Sequence, residues 1–370
     1  MKRLMEDSMT YLIPGEAIHP GEHIRDELGA VGMSQVDLAR RMGVQPSQLN
    51  ELIHGKRAVT ATVALLLEQV LGIDAEYWMN LQTRFELSRA RIEANYRKRE
   101  AAIAHWARVE ESLPIKYLKK QGVLTGDPVG DLDALRKVYG VENVEVIEQR
   151  VHGSRYERFR ESGRAGVDVA SVFGWMKLAR HKADEEGVGA FQPEAWPDLE
   201  RSLRGVLSAN REVKRRTKEV LAEFGVKLIY LERAEKAPVD GAAFWSGQHP
   251  VIAMPWRHTR LDRFAATLYH QLGHVYLHLV EDTEAEFIDL VRDSASHRKA
   301  SQELAATAFA RNQLIPEAAW QAFVKRGELS EQDLVHFAGQ IRMHPAIPFA
   351  RLLQGRRKPA PQVDIDRTIR

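Results

Sequence analysis

The sequence predicts a multidomain, mostly helical chain that ends in an α+β portion, and three observations point there. Over the first ~85 residues, short helical patterns are separated by glycines and helix-start residues. From Gly225 the pattern shifts to short runs of β-branched and aromatic residues split by Gly and Pro. Between Phe264 and His278, a helical segment apolar nearly all round carries two histidines one turn apart. At 370 residues the chain is long for one core. Its 44% hydrophobic and 28% charged residues are ordinary for a globular protein. The net charge is only +2, so any nucleic-acid binding must come from a local basic face. With no cysteine, disulfides and Cys-ligated zinc fingers are excluded, leaving His and carboxylate as metal ligands. No apolar run reaches about 18 residues, and MKRLMEDSMTYLIPG lacks an apolar leader core, so a cytoplasmic protein without a membrane span is expected.

His19-Pro20-Gly21 opens a first helix with Ile24 and Leu28 on one face, ended by Gly29 and Gly32. Ser34-Gln35-Val36-Asp37 has capping-box spacing and starts a second, SQVDLARRM, with Val36, Ala39 and Met42 turned inward. Gly43 supplies the left-handed residue after it. Pro46 sits in a first turn, where no N–H is needed, and begins a third helix whose core face is Leu49, Leu52 and Ile53. A fourth helix follows from Thr60 and a fifth from Ala75. Two short helices joined by a Gly-containing turn form the helix-turn-helix pattern. Pro46–His54 is then the recognition helix, with Gln45, Ser47, Gln48, Asn50, Glu51 and His54 outward. Gln and Asn can pair bidentately with adenine edges, while Lys56 and Arg57 in the following loop suit phosphate. The alternative is a small helical bundle with a polar outer face.

The block GEHIRDELGAVGMSQVDLARRMGVQPSQLNELIHGKRAVTATVALLLEQVLGIDAEYW resembles the Cro/C1-type (XRE) DNA-binding domain. With the opening IHPGEHIRDEL and the ending IDAEYWMNLQTRFEL, it is similar to antitoxins of the HigA type. The resemblance implies a five-helix domain over residues 14–92 that binds double-stranded operator DNA as a homodimer, with a cognate toxin as a partner.

Residues 93–215 read as a helical connecting region. Its basic clusters, Arg97-Lys98-Arg99 and Lys214-Arg215-Arg216, have the composition of solvated helix faces. Gly163 to Gly174 reads as a linker, and Arg201 to Glu223 as one long amphipathic helix. There is no internal repeat, low-complexity tract or Gly-rich phosphate loop. Beyond it, GVKLIYLERA, AAFWSG and HPVIAMP read as three strands of a small sheet.

On the helix that follows, His270 and His274 stand at i and i+4, a spacing at which two imidazoles can hold one metal ion. The zinc-peptidase pattern is H-E-x-x-H, in which the Glu accepts a proton from the attacking water. Here it reads His270-Gln271-Leu272-Gly273-His274, and the neutral Gln amide cannot accept that proton. Glu303, 29 residues after His274, is the acid on an otherwise small and apolar helix and offers a third ligand. Thr307, one turn on, is placed to orient its carboxylate. Glu286, Asp289 and Asp293 read as solvated acids on a more polar stretch; His249 and His258 sit in turns, and His278 is expected off the 270/274 face. The His pair could also be purely structural.

VDGAAFW (239–245), the HQLGH helix, ELAATAFARNQLIP (303–316) and FAGQIRMHPAIPFARLL (337–353) together resemble the ImmA/IrrE family of zinc metallopeptidase domains. In that family, H-E-x-x-H is followed by ExEANxFAxxLLMP and then HPxIxxxRL. The resemblance implies an α+β minimal zincin-like domain over residues 220–358, followed by a tail over 359–370. It further implies one Zn2+ per chain held by His270, His274 and Glu303, although other divalent ions also accept two His and a Glu. His344 falls in the HPxI position, where it either stabilises an oxyanion or simply precedes Pro345 in a turn. Three positions depart from the family pattern: Gln271 at the general base, Ala305 at the second Glu, and Thr307 at the Asn.

Two functions follow from these readings. One is a DNA-binding regulator, a HigA-like antitoxin or repressor, carrying a metallopeptidase-like domain without its base. The other is a zinc endopeptidase that cleaves a partner repressor or toxin, inactivated in this chain by a Glu-to-Gln change at Gln271.

Overall fold

In the computed structural model, which describes residues 16–157, 167–290, 301–326, 330–355 and 365–370, helix caps and glycines set the first unit. The chain divides into two units, Met1–Ala104 and His105–Arg370. Helix α1 (Pro20–Val31) is capped by His19, whose Nδ1 accepts from Gly21 N–H at 2.9 Å, and it ends at Gly32 in the left-handed region. Gly29 lies inside it. A Cβ on Gly21 would sit 2.5 Å from the carbonyl oxygens of Leu52 and Ile53, so only glycine lets α1 start against the end of the third helix.

Helix α2 (Gln35–Met42) begins at the Ser34 cap, which accepts from Asp37 N–H at 3.1 Å, and Gly43 ends it with φ 68°. Its buried residues are Leu38, Ala39 and Met42. Val36, expected inward, is 62% exposed: it sits two residues before Leu38, about half a turn round the helix. Helix α3 (Pro46–Ile53) buries Leu49, Leu52 and Ile53 as expected. Helices α4 (Ala61–Leu71) and α5 (Ala75–Val109) complete a core around Ile24, Leu38, Leu67 and Trp78. The buried Gln82 of α5 accepts from Val59 N–H at 2.9 Å, which ties down the loop after α3.

The second unit is built on a four-stranded sheet: β1 (Lys227–Leu231), β2 (Val239–Ser246), β3 (His249–Pro255) and β4 (Glu286–Leu290), in the order β1-β3-β2-β4. β1 runs parallel to β3, and β2 is antiparallel to both β3 and β4. The three expected strands are present, and β4 is an addition. Ahead of the sheet come α6 (Ile115–Lys120), α7 (Pro128–Tyr139), α8 (Val146–His152), α9 (Val169–Glu185), α10 (Trp196–Ala209) and α11 (Val213–Glu223).

Residues 169–174, read as part of a linker, are the first turns of α9; Asp168 caps them, accepting from Ser171 N–H at 3.0 Å. Residues 163–166 of that reading lie outside the described residues. The single helix expected over 201–223 is two, because the chain turns sharply at Asn210 and Glu212, both with φ 46°.

Strand alternation places a layer on each side of the sheet. Gly241 abuts Gln271, and the indole of Trp245 donates to Leu279 O at 2.8 Å, so this face of β2 meets the histidine helix α12 (Leu261–His274). Between them, Phe244 turns the other way, under the Arg180 guanidinium of α9. α12 runs on into a π turn, Val275–Leu279. Beyond β4 lie α13 (Ser301–Leu314), α14 (Glu317–Val324), α15 (Glu331–Gln340) and α16 (Ala346–Gly355).

The last residues, expected to be tail, are docked where they are described. Arg367 O accepts from Leu261 N–H at 2.7 Å, Arg370 O accepts from Val213 N–H at 3.0 Å, and Ile365 and Ile369 pack on the core. The first bond satisfies a free N–H at the start of α12. Residues 359–364 lie outside the described residues. Among the described residues, no helix is long and apolar enough to cross a membrane.

Candidate metal centre and nucleic-acid interface

Three elements converge at the far end of α12. Leu268, Tyr269 and Leu272 are fully buried in the core of the second unit and fix the roll of the helix. His270 and His274 then project from one face, with their Nε2 atoms 3.1 Å apart. α13 crosses α12 closely because Gly273 has no side chain: a Cβ there would lie 2.9 Å from Ala306 Cα. That approach brings Glu303 to 3.4 Å from His270 Nε2 and 3.6 Å from His274 Nε2.

The fourth group is Asp289 on β4, whose Oδ2 is 3.1 Å from His270 Nε2. Each of His270, His274, Asp289 and Glu303 offers a donor atom, all within 4.8 Å of one another. Metal–nitrogen and metal–oxygen bonds of about 2.0–2.1 Å in a tetrahedron separate the donors by about 3.3 Å. The donor set and its spacing therefore fit a divalent ion.

The expectation that Asp289 is a solvated acid is overturned. It is the cross-strand partner of Gly241 and turns in over α12. Glu286 is not solvated either: its side chain is 4% exposed, paired with Arg180 and accepting from the Tyr156 hydroxyl at 2.5 Å on the opposite side of the sheet. Asp293 lies outside the described residues. The strand was missed because it is five residues long and two of them, Glu286 and Asp289, are acids, which interrupt the apolar signal of Phe287, Ile288 and Leu290.

The groups behind the ligands also differ from expectation. Thr307 was expected to orient Glu303, but its hydroxyl approaches His270 Nδ1, at 3.4 Å. His278 was expected off the histidine face, but its Nδ1 is 3.3 Å from His274 Nδ1, and i+4 from His274 was the available signal. The fully buried His274 ring also stacks on Phe287, with centroids 4.1 Å apart. His344 does not join the cluster. Its Nδ1 accepts from Ala346 N–H at 3.2 Å, and the charges facing it are Asp366 and Arg370. The ring caps the turn into α16, as the turn reading of this position has it.

Burial disfavours a charged His270, but the Asp289 and Glu303 carboxylates outweigh it and hold the imidazole pKa up at about 10. Burial would likewise raise the Glu303 pKa; hydrogen bonds from His270 and His274 reverse this and keep it well below the usual carboxylate range.

Gln271 is fully buried between these groups. Its amide nitrogen donates to Asp289 Oδ2, and its carbonyl oxygen, also buried, has no partner among the described residues. The flipped amide would set oxygen against carboxylate, so the donating orientation is the chemically sound one.

In the first unit, the residues expected to face DNA are open to solvent. Gln45, Ser47, Gln48, Asn50, Glu51, His54, Lys56 and Arg57 are all exposed, while Leu49, Leu52 and Ile53 face inward. His54 donates from Nδ1 to Asn50 O at 2.8 Å, which closes the end of α3.

Comparison with known proteins agrees with this division. The helix-turn-helix family matches residues 24–78, and the family described as IrrE N-terminal-like domain matches residues 221–342. Virulence-associated protein I of Dichelobacter nodosus is 44% identical over 75 residues, covering 20% of this chain and 69% of that protein. The HTH-type transcriptional regulator YddM of Escherichia coli (strain K12) is 35% identical over 71 residues, 19% of this chain and 76% of that one. Among solved structures, the Pseudomonas aeruginosa antitoxin HigA with higBA promoter is 32% identical, covering 22% of this chain and 90% of that chain at a TM-score of 0.21. The chain belongs to the helix-turn-helix family of DNA-binding regulators, of the Cro/C1 (XRE) type, and carries a second, IrrE N-terminal-like domain.

Proposed function

We propose that this chain is an operator-binding repressor or antitoxin of the HigA type, acting as a homodimer, whose second unit holds a metal ion without hydrolysing peptides. The observation that carries the reading is the pairing of an exposed recognition surface on α3 with a buried amide, Gln271, at the base position of the metal centre. In the first unit, α3 enters the major groove. Gln48 and Asn50 are suited to adenine edges and Glu51 to the cytosine amino group, while Lys56 and Arg57 neutralise phosphates. A two-fold dimer would read a palindromic site with half-sites about 34–36 Å apart.

In the second unit, His270, His274 and Glu303 would hold Zn2+, which supplies Lewis acidity when bound. What the chain adds beside it is not a base. Gln271 cannot accept a proton, and its amide hydrogen is already committed to Asp289. A general base commonly contributes 10²–10⁴-fold to such a reaction, so hydrolysis falls by at least that order. The ion instead ties α12 and α13 together, stabilising the fold or a surface for the cognate toxin.

The test uses the purified full chain. Salt-dependent binding to DNA from its own promoter region, a dimer by light scattering, and one zinc per chain by elemental analysis are expected. Binding to promoter DNA no tighter than to unrelated DNA would refute the regulator reading. Cleavage of a candidate toxin or repressor by the unaltered chain would refute the non-hydrolytic one.

A further inference from the structure

The geometry around Gln271 points to more than a lost base. We propose that Asp289 fills the fourth position on the metal, closing the site, and that Gln271 is the residue that holds it there. This rests on the reading that His270, His274 and Glu303 bind a metal ion.

Catalytic zinc sites combine three protein ligands with an open position, whereas structural sites are closed by four. Here a fourth donor is present. Asp289 Oδ2 lies 3.1 Å from His270 Nε2, as close as His270 and His274 are to each other. The side chain reaches this point because of what surrounds β4. Asp289 pairs with Gly241 across the β2–β4 ladder, at an irregularity in the register. A Cβ on Gly241 would lie 2.8 Å from Gln271 Nε2 and 3.0 Å from its Cδ, so glycine leaves the space the amide fills. Gln271, wholly buried, spends its N–H on Asp289.

A glutamate at 271 would turn this contact from attraction into repulsion between two carboxylates in a buried site. A Gln there and an Asp ligand on β4 are therefore matched, and each explains the other. The amide does for Asp289 what carboxylate and carbonyl partners do for metal-bound histidines: it holds Oδ2, the oxygen that faces His270 Nε2, by one lone pair and leaves that atom's other lone pair for the metal. The consequence is a metal that links three elements, α12, β4 and α13, with no position left for an exchangeable ligand.

The experiment uses the full chain loaded with Zn2+ or Co2+. Zinc affinity is measured by chelator competition, and access to the metal by titrating azide into the cobalt form and following its visible absorption. The unaltered protein should show no azide-dependent change. Asp289→Asn should lose about 10- to 100-fold or more in zinc affinity and should become azide-responsive. Gln271→Glu should open the site to azide as well, and it carries the test if Asp289→Asn fails to fold by circular dichroism.

An azide response in the unaltered protein would overturn the inference, placing Asp289 beside the metal rather than on it. So would an Asp289→Asn variant that keeps zinc within about twofold of the unaltered protein and ignores azide. These outcomes leave the metal centre itself intact. Failure of the unaltered chain to bind either metal would instead refute the metal reading, and this inference with it.

Discussion

Gly273→Ala is the substitution that probes the construction of the metal centre most directly. The new methyl would stand 2.9 Å from Ala306 Cα, 3.1 Å from Ala306 O and 3.2 Å from Phe309 Cδ1. Carbon atoms rest at about 3.5–4.0 Å, so α13 must withdraw by roughly 0.6–1 Å. Two of the three obstacles are backbone atoms and cannot rotate away. Ala306 lies one turn from Glu303 on the same helix, so the carboxylate moves with it. Metal–ligand distances tolerate only about ±0.2 Å. Overpacking costs about 1–3 kcal/mol, and replacing a mid-helix glycine returns about 1 kcal/mol, leaving a net destabilisation of about 0–2 kcal/mol. The larger effect should be on zinc: a loss of about tenfold or more in affinity, with a smaller zinc-dependent rise in Tm. Chelator competition and thermal unfolding with and without zinc measure both. A variant that binds zinc as tightly as the unaltered chain and melts higher would refute the argument that close helix packing places Glu303.

Other consequences follow from single contacts. His278→Ala removes the ring beside His274 Nδ1 and should weaken zinc binding by about 10- to 100-fold without touching a ligand; unchanged retention would show that the His274–His278 contact does not orient the ligand. Arg57→Ala or Lys56→Ala should weaken DNA binding equally across sequences and reduce the salt slope by about 1 for each phosphate left without its cation; an unchanged slope would remove that residue from the interface. His19 titrates as a helix cap. Its Nδ1 must be unprotonated to accept from Gly21 N–H, and burial holds its pKa below the ordinary 6.5, with Glu22 opposing more weakly. The folded state therefore binds that proton less readily than the unfolded state. The cap contributes fully above about pH 6.5 and is lost as the pH falls below it. Hydrogen exchange in α1 should accelerate on the acid side after correction for the intrinsic rate, and His19→Asn, which keeps a capping group, should flatten that dependence. A pH-independent α1 would contradict the assignment.

Local chemistry carried the first unit. The capping residues, Gly43, Pro46 and the inward triplet of α3 all act within a few residues of themselves, so spacing alone located the helices and the exposed row from Gln45 to Arg57. Val36 shows the limit, because a two-turn helix gives too few repeats to fix its roll. The two histidines and Glu303 were legible for the same reason: i, i+4 spacing and an isolated acid on a small-residue helix are local signals. Asp289 was not. Whether a carboxylate in a five-residue strand meets solvent or metal depends on its partner strand, on the missing side chain at Gly241, and on the Gln271 amide 18 residues away. The docking of the final residues on α11 and α12, and the layering of α9 beneath the sheet, were closed to sequence for the same reason. Such contacts join segments far apart in the chain, and no period or motif in either segment encodes its partner.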